Sequence, residues 1–161
     1  MRVLGIDPGS VRTGFGVIEQ DGGRTRLLAC GVIQAGRGPL ALRLARILEG
    51  VECLIEQHRP DAVAVEDIFF ARNAKSAAVL GHARGAALAA AGRAGAGVFE
   101  YSARRVKQTV TGNGGADKEQ VRTMVRVSLG QAPEQLDASD ALAVALCHLS
   151  WAGLPGTGGG R

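Results

Sequence analysis

The chain has 161 residues, enough for one domain with a sizeable core, so its length requires no second domain. A formal charge of +4 and a pI of about 9.4 favour a polyanionic partner such as nucleic acid and argue against an acidic one. The three cysteines are scattered and lack CxxC spacing, which argues against a disulfide framework and a zinc site. We expect them to be reduced core thiols.

Three short β-type runs open the chain: RVLGID, GFGVIEQ and RLLACGVIQ, separated by PGSVRT and DGG. They predict three antiparallel strands linked as hairpins. Asp7 ends the first run directly before a glycine-rich turn, so its carboxylate is expected at a strand end. No charged leader and apolar signal region precede these strands, and Arg84 and His82 interrupt the most apolar stretch, so we expect a soluble, cytosolic chain.

The spacing of apolar residues then becomes helical from Leu40 until His58-Arg59-Pro60, and a strand, DAVAVE, follows and delivers Glu66 to its end. After the loop IFFARN, the pattern predicts a helix from Ala74 to Ala91 ended by Gly92 and a strand GVFEY. A further helix is predicted from Ser102 to Val110. Strand and helix therefore alternate through the middle of the chain.

A glycine linker, TGNGGA, leads to an amphipathic helix from Lys118, for which Asp117 and Gln120 form a capping-box pattern. A last helix is predicted from Asp137. The glycine-rich tail, 153–161, is expected to be disordered, which leaves residues 1–152 as a single domain.

A meander followed by alternating helices and strands predicts a three-layer α/β fold, with a mixed five-stranded sheet and helices on both faces. If the first strand pairs in parallel with DAVAVE, Asp7 and Glu66 end neighbouring strands roughly 5 Å apart. Open α/β sheets bind ligands at such ends.

Each acid also has an ordinary structural interpretation: Asp7 as a turn former and Asp137 as a helix N-cap. Asp140 lies three residues after Asp137 and so shares its helical face. Clustered carboxylates repel unless a cation neutralises them, however, and an all-oxygen set suits Mg²⁺ or Mn²⁺. On a basic protein, such a site predicts metal-assisted phosphodiester hydrolysis.

Basic residues flank the predicted site in two groups, and each would by default be a solvated charge. Phe69 and Phe70 fall in the loop after Glu66, where an aromatic ring would stack on an unpaired base or pack in the core. The basic residues predicted to contact DNA are Arg72, Lys75, Arg104, Lys107, Lys118 and Arg122.

Five ordered segments resemble the RuvC family of bacterial Holliday-junction resolvases: GIDPGSVRTGFGVI, VAVEDIFFARNAKSA, LGHARGA, VFEYSARRVKQTVTGNGGADKEQV and DASDALAVALCH. They cover nearly the whole chain. The resemblance implies a ribonuclease H-like fold and a homodimer that resolves four-way DNA junctions by paired Mg²⁺-dependent nicks in strands of like polarity, during recombination and repair. It also implies the RuvA and RuvB branch-migration proteins as partners and the bacterial cytoplasm, at the nucleoid, as the location.

The same resemblance assigns roles to individual residues. Phe69 matches an aromatic residue that perturbs base pairing near the crossover, and Lys107 and Lys118 match residues that hold DNA. Some relatives carry histidine at the position of Asp140. The matches to the family's metal-binding acids are Asp7, Glu66, Asp137 and Asp140.

Three other classes of protein share part of this pattern. An ATP-binding protein of the actin and sugar-kinase type shares the DPGSVRTGFG hairpin but needs two lobes, for which this chain is too short. A small nuclease of ribosomal RNA precursors would lack the FFARN and VKQTVTGNGG segments. A non-catalytic junction-binding protein would be expected to have lost an acid. Gly81, Gly85 and Ala89 form a small-residue helix face that suits either dimer contact or internal packing.

Overall fold

The computed structural model describes residues 1–67, 73–131 and 133–152. Its centre is one five-stranded sheet in the order β3-β2-β1-β4-β5. The first three strands form the predicted antiparallel meander: β1 (Arg2–Asp7), β2 (Arg12–Asp21) and β3 (Arg24–Gln34). The turn between β1 and β2 is closed by the Thr13 hydroxyl, which donates to the Gly9 carbonyl at 2.8 Å.

The next elements extend the sheet in parallel. Helix α1 (Leu40–His58) leads to β4 (Ala62–Asp67), which pairs with β1, and α2 (Ala74–Arg93) leads to β5 (Gly97–Ser102), which pairs with β4. Parallel neighbours require such crossover helices. The mixed sheet expected from the sequence is therefore confirmed.

Three helices complete the chain: α3 (Ala103–Thr111), α4 (Lys118–Leu129) and α5 (Leu136–Ala152). The predicted capping box of α4 is confirmed, since the Asp117 and Gln120 side chains each accept from the other's backbone N–H. Helix α3 ends where Gly112 adopts a left-handed conformation, with φ of 77°.

Two hydrophobic clusters lie on opposite faces of the sheet and give the molecule three layers. One cluster joins the sheet to α1 and α2, and the other joins it to α3, α4 and α5. Strand residues alternate between them: Leu4 and Ile6 face α1 and α2, whereas Val3 faces α5. This alternation decides which face each strand-end acid occupies.

Helix α5 lies unusually close to the strands, because glycines on β1 and β2 leave room for its backbone. A Cβ on Gly5 would lie 2.1 Å from the Ala141 carbonyl oxygen, and a Cβ on Gly14 would lie 2.0 Å from that of Asp137. No side chain could occupy either space. The first turn of α5 is thereby held against the ends of β1 and β2.

Several boundaries differ from the sequence predictions. Helix α2 passes through Gly92 and ends at Arg93, because the left-handed residue beyond it is Gly95, with φ of 69°. Ser102 precedes α3 as its N-cap, accepting from the Arg105 N–H. Asp137 is not an N-cap, because α5 begins one residue earlier at Leu136.

The expectation that all three cysteines are core thiols is wrong in part. Cys147 is buried, Cys30 is half-buried, and Cys53 is exposed on α1; all three are free. Among the described residues, no helix has the length and apolar character needed to cross a membrane.

Candidate metal and nucleic-acid site

Asp7 and Glu66 end adjacent parallel strands and lie on the same face of the sheet. Ile6 is in register with Val65, so each acid directly follows a paired position. By alternation, Asp7 lies on the face of Val3 and Glu66 on that of Ala64, the face covered by α5. The strand-end geometry expected from the sequence is present.

The two carboxyls of this pair are half-buried and close enough for their charges to repel. Burial, followed by the charges of Glu66 and Asp140, raises the pKa of Asp7 to about 8, and a hydrogen bond with Glu66 contributes in the same direction. Burial also raises the pKa of Glu66. Without a neutralising cation, the two side chains therefore tend to retain a proton, the behaviour expected of close carboxylates.

Asp137, in the first turn of α5, and Asp140, three residues later, each contact a cation of the chain. Arg12 Nε lies 2.9 Å from Asp137 Oδ2, and Lys118 Nζ donates to Asp140 Oδ2 at 2.8 Å. The bond to Asp140 raises the pKa of the Lys118 ammonium. The charges of Asp140 and Lys118 both act on Asp7, and the charge of Asp137 acts on Lys118, so the helix pair lies beside the strand pair in one acidic cluster.

The donor chemistry fits a hard divalent ion, since all four candidate ligands are carboxylates and burial makes a neutralising cation favourable. Within the described parts of the chain, however, no three acid, histidine or cysteine side chains converge as a metal-binding group. Arg12 and Lys118 engage the two α5 acids, which would have to turn away from these partners to join Asp7 and Glu66.

A cleft of about 590 Å³ opens beside the strand-end acids. Its walls include two of the basic residues predicted to contact DNA, Arg104 and Lys107 on α3, and also Gly114 of the glycine linker. The charge of Lys107 also reaches Glu66. The cleft thus brings acids and cations together along one surface, as a phosphate-binding metal site requires.

The other predicted DNA contacts are less closely grouped. Lys75 is exposed in the first turn of α2. Arg122 does not line the cleft and is half-buried on α4, where its guanidinium faces the Pro133 carbonyl at 3.5 Å. Phe69 and Arg72 lie outside the described residues.

Sequence reasoning missed two groups near the acids. Arg12 was not singled out, although it directly follows the glycine-rich turn and opens β2. Arg84 of α2 forms ion pairs with Asp67, at 3.3 Å, and with Glu100; Asp67 also lines the cleft beside Asp7 and Glu66. The alternation of β4 was the available signal, because it sends Asp67 away from Glu66.

The family model described as "Crossover junction endodeoxyribonuclease RuvC" matches residues 3–148. The chain belongs to the RuvC family. A RuvC from Anaeromyxobacter sp. (strain K) is 50% identical over 163 residues, covering 100% of this chain and 88% of that protein. A RuvC from Geobacter sulfurreducens is 56% identical over 151 residues, covering 92% of each.

Solved structures agree with this assignment. The structure titled "T. thermophilus RuvC in complex with Holliday junction substrate" has a TM-score of 0.88 at 42% identity, and covers 94% of each chain. A yeast mitochondrial Holliday junction resolvase, at 13% identity, covers 92% of this chain and 78% of its own with a TM-score of 0.70, a likeness of fold alone.

The expected ribonuclease H-like fold is thus confirmed, and so is the activity implied by the resemblance. The chain is a nuclease of the RuvC family, a crossover junction endodeoxyribonuclease that resolves Holliday junctions with the help of a metal.

Proposed function

We propose that Asp7, Glu66, Asp137 and Asp140 are the metal ligands of this nuclease and that the ion is Mg²⁺, with Mn²⁺ as a working substitute. The observation that carries this proposal is the half-buried, hydrogen-bonded Asp7–Glu66 pair where β1 and β4 end. The pKa of Asp7, raised to about 8, means that the pair is fully ionised at neutral pH only when a cation compensates it. A divalent ion bound by carboxylates supplies that compensation.

The metal's chemical contribution is to activate water and to stabilise charge on the phosphodiester during in-line displacement of the 3′ oxygen. The chain supplies the rest. Arg104 and Lys107 of α3, which line the same cleft as Asp7 and Glu66, would bind DNA phosphates and so hold the strand next to the acids. Displacement of the 3′ oxygen from phosphorus by water would leave a 3′-hydroxyl and a 5′-phosphate, ends that a ligase accepts.

The substrate we propose is a four-way DNA junction cut by a homodimer, because a junction presents two symmetric strands. Helix α2 offers a surface for the second copy. Gly81, Gly85 and Ala89 are exposed, and a Cβ added to either glycine would meet nothing within 4 Å. Internal packing therefore does not explain this small-residue face, whereas close approach of another helix does.

Additional DNA contacts are proposed beyond those of Arg104 and Lys107. Lys75 and Lys118 are exposed cations, and Phe69, Arg72 and Arg122 retain the roles predicted from sequence. By family likeness, we also propose that RuvA and RuvB act with this protein on the junction and that it works at the nucleoid of a bacterial cytoplasm.

The decisive experiment incubates the protein with an end-labelled four-way junction and with a linear duplex of the same sequence, each with Mg²⁺ or with chelator. We expect paired nicks in the junction only, and only with Mg²⁺. Equal cutting of the duplex would reduce the activity to that of a general nuclease. Cleavage of the junction in chelator would contradict the metal site.

A further inference from the structure

Arg12 has no role in the predicted chemistry, yet it makes a direct contact with a proposed metal ligand. Its Nε lies 2.9 Å from Asp137 Oδ2, at the outer edge of the acidic cluster. Both side chains are partly exposed, 46% for Arg12 and 34% for Asp137. An ion pair this accessible adds little to folding, so its significance lies in the carboxylate that it occupies.

The backbone leaves this pair little choice of geometry. Gly14, two residues after Arg12 on β2, packs against the Asp137 carbonyl so closely that a Cβ there would lie 2.0 Å from the oxygen. Residues two apart on a strand share a face, so Arg12 and Gly14 both lie beneath the first turn of α5. Arg12 is therefore held next to Asp137 by the fold itself.

A divalent ion and a guanidinium both require the lone pairs of the Asp137 carboxylate. When the ion binds Asp137, the Nε–H bond to Oδ2 must lengthen or break, and the positive charge of Arg12 then lies near a second, divalent positive charge. Both effects oppose metal binding. Neither acts on Asp7 or Glu66, whose carboxyls are hydrogen-bonded to each other.

We propose that Arg12 is a displaceable counter-ion of Asp137 that weakens metal binding at the α5 side of the site. Arg12 is in this sense a positioning residue: it holds the Asp137 carboxylate until a metal replaces it. The inference rests on the proposed assignment of Asp137 as a metal ligand, and it concerns only the affinity of the site for the ion.

The test measures Mn²⁺ binding without DNA, from the EPR signal of free Mn²⁺ in about 0.1 M salt. We expect Arg12→Gln to bind Mn²⁺ about three- to tenfold more tightly than the wild type, from the lost ion pair and the lost repulsion. Arg12→Lys, which keeps the charge but not the planar guanidinium, should change the affinity less.

Arg24→Gln is the matched control. It removes the same charge from an exposed residue at the far end of the β2–β3 hairpin, well beyond the Debye length of about 10 Å at this salt, and should leave Mn²⁺ affinity unchanged. A tightening equal to that of Arg12→Gln would show a general charge effect and overturn the inference.

Two further outcomes separate this inference from the proposed metal site. The counter-ion role alone is overturned if Arg12→Gln binds Mn²⁺ no more tightly than the wild type while Asp137→Asn binds it more weakly. Weaker binding by Arg12→Gln would mean that Arg12 orients Asp137 for the metal. If Asp7→Asn and Asp137→Asn both bind Mn²⁺ like the wild type, the metal site is wrong and this inference falls with it.

Discussion

The acidic cluster has two halves, the strand pair Asp7–Glu66 and the helix pair Asp137–Asp140, and the repulsion between carboxylates is reduced differently in each. Asp7 and Glu66, at the ends of buried strands, are hydrogen-bonded to each other, and the pKa of both is raised. Asp137 and Asp140, near the N-terminus of α5, each contact a cation supplied by the chain. The strand pair thus depends on an external cation, whereas the helix pair must exchange an internal one for it.

The sharpest way to test this difference is to change one acid in each half. We expect Asp7→Asn to lower junction cleavage at least about 10³-fold, since the strand pair holds the ion most directly and a bound metal stabilises the transition state by several kcal/mol. Asp140→His, which replaces a helix acid with another metal ligand, should keep measurable cleavage with Mn²⁺. Single-turnover rates on a labelled junction compare the two.

Junction binding provides the control for these variants. Because binding relies on basic residues, a gel-shift assay in chelator should give Asp7→Asn at least wild-type affinity. Mg²⁺-dependent cutting by Asp7→Asn at a wild-type rate would remove Asp7 from the site.

A substitution that displaces α5 from the sheet would disturb the helix acids while leaving the strand acids in place. Gly14→Ala puts a Cβ where the Asp137 carbonyl oxygen lies, so we expect it to lower the free energy of unfolding by about 3 kcal/mol, at the upper end of typical overpacking costs. Gly92→Ala is the control, because a Cβ there meets nothing within 4 Å in the last turn of α2 and should leave stability unchanged or slightly higher. Urea unfolding measures both; equal stabilities would show that α5 is free to shift.

The strand pair should also give the protein a characteristic pH dependence in chelator. The folded pKa of Asp7 is raised from 3.8 to about 8, so in this range the folded state binds more protons than the unfolded state. Stability present below pH 3.8 is therefore lost as the pH rises to about 8. We expect Asp7→Asn to be more stable than the wild type at pH 9 by about 2 kcal/mol, after allowance for solvent relaxation around the pair.

Urea unfolding from pH 5 to 9 tests this linkage, and Mg²⁺ should restore wild-type stability at the alkaline end. Parallel profiles for the wild type and Asp7→Asn would show that Asp7 ionises freely, which would make the two halves of the cluster alike.

The smallest expected effect concerns Lys118, the cation of the helix half. We expect Lys118→Ala to weaken junction binding a few-fold and to reduce the slope of log affinity against log salt by about one unit, as for one lost phosphate contact. Arg24→Ala serves as the control on a remote surface. An unchanged slope would instead place Lys118 with Arg12, as an internal counter-ion that stays with Asp140.

Periodicity alone predicted the strands, the crossover helices and the neighbouring positions of Asp7 and Glu66, because alternation and parallel pairing are local rules of the chain. The end of α2 was predicted too early because the sequence offers two glycines, Gly92 and Gly95, as the residue that ends the helix. Only the backbone shows that Gly95 is the one with a positive φ angle. Arg12 was missed for a different reason. Its contact with Asp137 depends on the close packing of β2 against α5, two segments far apart in sequence.

The backbone of α5 packs directly against the backbone of Gly5 and Gly14. This contact limits which substitutions the chain can accept during evolution. A hydrophobic core absorbs substitutions when neighbouring side chains repack, so its residues can drift together. At these two glycines, the colliding atoms would belong to the backbone of α5, for which no compensating substitution exists. We therefore expect proteins that keep these acids in place to keep glycine at both positions as well.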